Sequence, residues 1–546
     1  MANIEIVTGE LQGVRARPRI RAARLPRPPA VIWVPAAVVA AGMILPLAYL
    51  VQRTSGAGTD ALDLIFTFKT LKILFRTLLL VSTVTLASVT LAVPIAWLTV
   101  RTDLPFRRIW AVLTILPLVI PSYVGAFLLI AAAGPGGLLQ QMLEPVGVDW
   151  LPNIYGFPGA LYALTILSYP YVLLSIRSAL WGIDPALEEG SRSLGLGALA
   201  TFWRVTLPQL RPAMAAGGLL VALYTLSDFG AVSLLRFDSF TRIIFIQYQT
   251  AFDRSLAAGL SLVLLAVALF ILTGEARLRG RWRYHRSTVG AVRPPTIMRL
   301  GRWRWPALIF LGLVTILALI GPMSVLVYWL VRGMLAGEPL RLLWGQTLNS
   351  VYVSGLAALA AILASIPLAV LSVRYPSRIS SILERLTYVG FAAPGIVVAL
   401  ALVFFAANFA TPIYQTMGIL VLAYVILFLP TALGSLRTSL LQVNPSVEEA
   451  ARSLGRNPFQ VLTSVTLPLV RPGLLAGMSL VFLITMKELP ATLVLSPIGF
   501  KTLATSVWAA TEEAFFARAA APALFLILVS SVPMAFLVLR ERRFQT

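Results

Sequence analysis

Runs of about twenty apolar residues, each bounded by charge, proline or glycine, recur twelve times along the 546 residues. They lie near 31 to 51, 77 to 100, 109 to 133, 158 to 180, 213 to 235 and 255 to 273, then 306 to 331, 348 to 373, 387 to 406, 417 to 440, 473 to 496 and 519 to 539. A hydrocarbon core about 30 Å thick takes about 20 helical residues, so each run has the length of one transmembrane helix. The pattern predicts an all-α polytopic membrane protein with twelve transmembrane helices in two six-helix halves, 30 to 273 and 305 to 546.

Composition agrees: 58% of residues are hydrophobic, 12% are charged and the mean hydropathy is +0.86, which excludes a soluble globular chain. The net charge of +22 would suggest nucleic acid in a soluble protein, but here the arginines sit in short segments between apolar runs, so membrane lipid is the expected partner. With the N-terminus inside, 32 Lys and Arg fall on the inner side and 11 on the outer, with Lys487 inside a run. Both termini are therefore expected in the cytoplasm. The tail 1 to 29 carries six arginines and no small-residue cleavage site, so the first run is expected to remain as a span. Residues 274 to 304 hold nine arginines and read as a basic cytoplasmic linker lying on the anionic leaflet. The absence of cysteine and the single His285, in that linker, remove disulfides, thiol nucleophiles, Cys/His metal sites and histidine triads.

The halves repeat each other. Residues 184 to 217 align without a gap to 444 to 477 at an offset of 260, with 15 identities in 34 positions. Matched positions include Glu188 with Glu448, Glu189 with Glu449, Arg192 with Arg452, Gly195 with Gly455 and Arg211-Pro212 with Arg471-Pro472. The offset extends to Pro170 and Arg177, paired with Pro430 and Arg437, and to Asp228, paired with Glu488.

Each copy occupies an inner loop. Asp184-Pro185 and Asn444-Pro445 place a capping side chain before proline at the first helical position. The paired glutamates then favour the helix N-terminus, and Glu188 to Arg192 and Glu448 to Arg452 have i,i+4 spacing for ion pairs. Gly195 and Gly455 are expected to end the helices in the left-handed conformation. A short charged helix on the inner face, present twice, is shaped to dock into a two-fold symmetric partner.

This pattern resembles the EAA loop of ABC-importer permeases. Glu188, Glu189, Gly190 and Gly195 match it in the first copy, and Glu448, Glu449, Ala450, Ala451 and Gly455 match it more fully in the second. The resemblance implies that these are coupling helices received by two copies of a separate ATPase subunit, which binds the ATP. LSDFGAVSLLRFDSFTRIIF (226 to 245) and MKELPATLVLSPIGFKTLATSVW (486 to 508) look like segments of fused two-domain ferric-iron permeases, with thiamine, polyamine and phosphonate permeases as relatives carrying similar stretches. The resemblance thus implies a permease of a bacterial inner membrane, not itself an enzyme, fed by an extracytoplasmic solute-binding protein.

Other features fit that expectation. The four lysines, Lys69, Lys72, Lys487 and Lys501, follow Phe, Leu, Met and Phe, so no P-loop is present and no cofactor is expected on this chain. A secondary transporter would carry more coupling acids within its spans, and a membrane enzyme would need a constellation that the sequence does not offer. Asp228, Lys487 and Glu488 fall within or near apolar runs and are candidates for the translocation path; the alternative is that the acids cap broken helices ahead of Gly230 and Pro490. Asp238, Asp253, Glu512 and Glu513 lie in outer loops, and Pro94, Pro117, Pro121, Pro367 and Pro394 are expected to kink packed helices.

Overall fold

The computed structural model describes residues 28–55, 67–147, 151–249, 254–281, 297–337 and 343–543. Most of the 1 to 29 tail, His285 and the centre of the 274 to 304 linker lie outside the described residues.

Among the described residues the chain is helical, without a strand, and ten helices are long and apolar enough to cross a membrane, or eleven with one bent pair counted as a span. Twelve spans were expected, and the difference lies in the second half, where one run is the bent pair and another holds only the 15-residue helix Gly395–Phe409, although both halves carry backbone breaks. The run near 109 to 133 divides into Arg107–Leu113, a tight turn at Leu116–Val119 and a helix at Ser122–Ala133. Its counterpart near 387 to 406 divides into Arg378–Ala392 and the 15-residue helix Gly395–Phe409. Pro121 and Pro394 are the residues immediately before these second helices, so they start new helices instead of kinking old ones. Pro94 and Pro367 remain inside Phe68–Arg101 and Leu343–Arg374. In the second half, Pro458–Leu469 and Arg471–Met486 meet at 73°.

Close backbone approach builds each half. A Cβ at Gly217 would come within 2.7 Å of the Val172 Cα, and one at Gly477 within 3.5 Å of the Ala432 Cα. These pairs are related by the same 260-residue offset, and glycine there lets Leu207–Ser227 and Arg471–Met486 lie directly on Phe157–Gly182 and Met417–Leu441.

The halves read from sequence are not the packing units. The first helix, Ala30–Ser55, lies on the second half, burying Ala36, Met43 and Leu50 in the same core as Ile396 and Val397. The helix from Arg304, which continues through a wider π-type turn at Ile316–Ile320, buries Leu311 and Ala318 in the core of the first half beside Leu164 and Val172. Hydrogen bonds mark the exchange. Asn408 donates to the Tyr49 hydroxyl at 3.2 Å, and Tyr162 donates to the Leu317 carbonyl at 3.3 Å. The end of the linker is also fixed: Met298 N donates to the Arg101 carbonyl at 2.8 Å, and Leu300 N to Asp103 at 2.8 Å.

Candidate functional site

The two loop helices form as the local signals predict. Asp184 accepts from Ala186 N at 3.0 Å and begins Pro185–Ser193; Asn444 accepts from Ser446 N at 3.1 Å and begins Pro445–Ser453. Gly195 and Gly455 have φ of 85° and 84°. Their amides donate to the Arg192 and Arg452 carbonyls, and the next residue's amide returns to Ser191 or Ala451, which closes both helices with the same pair of bonds.

The two glutamates of each loop are placed differently. Glu188 is 1% exposed and Glu448 is 4% exposed, so both carboxylates face into the protein. In the second half, Arg374 Nε donates to Glu448 Oε2 at 3.0 Å, and its Nη2 donates to Oε1 at 3.1 Å and to the Val443 carbonyl at 3.1 Å. In the first half, Arg101 Nη2 donates to the Leu180 carbonyl at 3.0 Å and lies 3.6 Å from Glu188 Oε1. Thr206 and Thr466 complete the sites, donating to Oε1 of Glu188 and Glu448 at 2.9 Å and 3.0 Å. Both threonines end π-type turns, Phe202–Thr206 and Leu462–Thr466, whose extra residue re-aims the helix that enters the bundle.

Each glutamate therefore ties its loop helix to the last residue of a long transmembrane helix and to the start of the re-entering one. The expected i,i+4 partner contributes only in the second copy, where Arg452 is 3.8 Å from Glu448; among the described residues Arg101 is the cation facing Glu188. Sequence reading passed over Arg101 and Arg374. The available signal was the shared Leu-Thr-Val-Arg and Leu-Ser-Val-Arg ends at 98 to 101 and 371 to 374, whose offset is 273. Glu189 and Glu449 are exposed, as are Leu194 at 86% and Leu454 at 83%. These form the outward face of the loop helices, together with Leu187 and Val447.

Asp228 and Glu488 occupy equivalent breaks. Asp228 Oδ1 accepts from Ala231 N at 3.0 Å and Val232 N at 3.3 Å, ahead of Gly230–Leu234. Glu488 Oε1 accepts from Ala491 N at 3.1 Å, ahead of Pro490–Leu495. The same oxygen lies 2.6 Å from where a Cβ on Gly395 would stand, at the start of Gly395–Phe409. Both acids thus satisfy amides freed where a helix is interrupted inside the membrane. Lys487 points elsewhere, with Nζ donating at 2.9 Å to the Leu118 carbonyl in the turn at Leu116–Val119 of the other half. The repeated arginines are also used alike: Arg177 donates to the Ala111 carbonyl at 3.0 Å, and Arg437 lies 3.2 Å from Glu384, each reaching the short helix before the break.

Comparison with known proteins places this geometry in context. The family model for the binding-protein-dependent transport system inner membrane component matches twice, over residues 88–283 and 357–546. The chain is 36% identical over 518 residues to the Fe(3+)-transport system permease protein FbpB 2 of Haemophilus influenzae, covering 94% of this chain and 98% of that protein. It is 26% identical to the ferric transport system permease protein FbpB of Actinobacillus pleuropneumoniae, over 78% of this chain and 64% of the relative. The molybdenum transport system permease protein ModB of Escherichia coli is 32% identical over 32% of this chain and 79% of its own length.

Proposed function

The chain belongs to the binding-protein-dependent transport system inner membrane component family, and we propose that it is the permease subunit of an ATP-driven importer of ferric iron. The observation that carries the cargo is the 36% identity sustained over 94% of the chain to a protein named for Fe(3+) transport. A match of that extent spans both halves and both loop helices, whereas a match to one half speaks only for the shared scaffold.

The chain forms the passage and performs no hydrolysis itself. ATP is bound and split by a separate ATPase, present in two copies, one for each loop helix. Support comes from the outward faces of those helices: Leu194 and Leu454 stand out beside Glu189 and Glu449 at matching positions, an apolar knob flanked by an acid. When the ATPase pair closes, each loop helix is carried with it. The Glu188 and Glu448 tethers pass that displacement to Phe68–Arg101 and Leu343–Arg374 and to the re-entering helices, because a buried carboxylate held by an arginine and a threonine on two different helices does not slip. An extracytoplasmic solute-binding protein delivers the cargo at the opposite end. The charge asymmetry supports cytoplasmic termini in a bacterial inner membrane.

The test is deletion of the gene followed by uptake of radiolabelled ferric iron under iron limitation. Loss of uptake, restored by the gene on a plasmid, is the expected result. Normal iron uptake with a new requirement for thiamine, a polyamine or a phosphonate would reject iron and keep the permease.

A further inference from the structure

Where Phe68–Arg101 ends, on the loop-helix side, the last residues of the basic linker lie against it. Met298 N donates to the Arg101 carbonyl at 2.8 Å, Asp103 N donates back to the Met298 carbonyl at 3.0 Å, and Leu300 N donates to Asp103 Oδ1 at 2.8 Å. These bonds join two basic segments across 197 residues of chain. Arg107 and Arg108 follow on one; Arg299, Arg302 and Arg304 follow on the other. All but the half-buried Arg107 are exposed. Among the described residues none of the five has a carboxylate within ion-pair distance. Asp103 is the one acid in residues 102 to 108 and 297 to 305. Even with Asp184 and Glu189 of the neighbouring loop helix set against them, the arginines prevail, since Glu188 already faces Arg101.

Apolar rings are held out beside these charges. Phe106 has φ 57°, a left-handed conformation for a bulky residue, and is 74% exposed; Trp303 and Trp305 are 74% and 62% exposed. Arg304 lies over the Trp305 ring, 5.6 Å from its centre. The apolar segment Phe68–Arg101 closes at Arg101 and the next one to touch it here, Gly301–Leu335, opens at Gly301. The patch therefore stands at the level where hydrocarbon gives way to headgroups, which is where tryptophan and arginine favour the membrane most. Water alone would leave three rings uncovered and five cations facing one another. A phospholipid covers the rings with acyl chains and meets the guanidinium groups with phosphate oxygens. Near an anionic leaflet each arginine is worth roughly a factor of five in binding, so five of them select a lipid with net negative charge.

We propose that residues 106 to 108 and 299 to 305 together form a binding site for an anionic phospholipid of the leaflet on the loop-helix side, and that the bound lipid braces the tether at Glu188. This is more than a basic linker resting on the membrane, because part of the site comes from the turn after Arg101. The linker is bonded to the same Arg101 that lies 3.6 Å from Glu188, so a lipid spanning both segments holds Met298 on the Arg101 backbone and steadies the guanidinium beyond it. The site does not depend on which cargo the permease carries.

The experiment uses the full chain in nanodiscs of mixed phosphatidylcholine and phosphatidylglycerol, with brominated acyl chains carried by one lipid or the other at equal bromine content. Bromine quenches tryptophan fluorescence on contact. Trp303 and Trp305 are two of twelve tryptophans, so the signal is the excess of quenching by brominated phosphatidylglycerol that Trp303→Phe with Trp305→Phe removes. Wild type should show that excess. Combined Arg107→Gln, Arg108→Gln, Arg302→Gln and Arg304→Gln, which keeps both tryptophans, should lose it, while lysine at the same four positions should retain most of it because the charge remains. Equal quenching by the two lipids in wild type, or an excess that survives the glutamine variant, overturns the site. Loss of the excess when inorganic phosphate replaces chloride at constant ionic strength would assign the arginines to a soluble anion and overturn the lipid. Thermal unfolding reads the brace: wild type should melt a few degrees higher in discs containing phosphatidylglycerol than in phosphatidylcholine alone, and the glutamine variant at one temperature in both. Equal melting temperatures for wild type in the two discs overturn the brace.

Discussion

Arg374 holds Glu448 with two hydrogen bonds, at 3.0 Å and 3.1 Å, across 74 residues of chain. The bond joins the end of a transmembrane helix to the first turn of the loop helix, and Arg101 with Glu188 repeats it at 3.6 Å in the other half. It divides the two adjacent glutamates of each loop into a buried tether and an exposed residue.

Removing the tether should cost stability. Glu448→Ala leaves the Arg374 guanidinium largely buried without its counter-charge, a loss on the order of 3 to 5 kcal/mol. The purified permease should melt at a lower temperature and transport poorly. Glu449→Ala, at an exposed position, should leave the melting temperature unchanged and weaken ATPase binding. Identical melting curves for the two variants would refute the division of roles.

Gly455→Val tests the helix stop. Space is not limiting, since nothing lies within 4 Å of a Cβ built there; the backbone φ of 84° is. A β-branched residue should cost about 1 to 2 kcal/mol there, and asparagine less. Uptake at equal protein level should rank glycine, then asparagine, then valine, and Gly195 should follow the same order. Valine transporting as well as glycine would show that the left-handed turn is not required.

The two membrane acids make a sharper comparison. If Glu488 acts as a cap, Glu488→Gln keeps an acceptor for Ala491 N and should retain uptake within about twofold, while Glu488→Ala loses the cap at about 1 kcal/mol. Asp228→Asn should behave like Glu488→Gln. Abolished uptake in Glu488→Gln, with the protein inserted normally, would mean that the negative charge itself serves the cargo.

Orientation is tested by single cysteines in this cysteine-free chain. Ser287→Cys, in the basic linker, should react with an impermeant reagent only from the cytoplasm, and Gly147→Cys only from outside. The opposite pattern would invert the topology and move the ATPase to the wrong face.

What the sequence determined by itself was everything governed by neighbours a few positions apart. Asp184-Pro185 starts a helix and Gly195 ends it because capping and left-handed geometry are local, and the second copy repeats both because its residues do. The apolar runs located the membrane segments because burial in lipid depends on composition over about twenty residues. Tertiary structure alone decided which apolar face meets which. Ala30–Ser55 could not be assigned to the second half from its own residues, since hydropathy is the same whichever bundle covers it. Nor could Glu188 be separated from Glu189, or Lys487 be joined to Leu118 across 369 residues. Their partners approach only after the helices pack, and it is the removal of water around Arg101, Arg374 and the interrupted helix ends that makes those bonds obligatory.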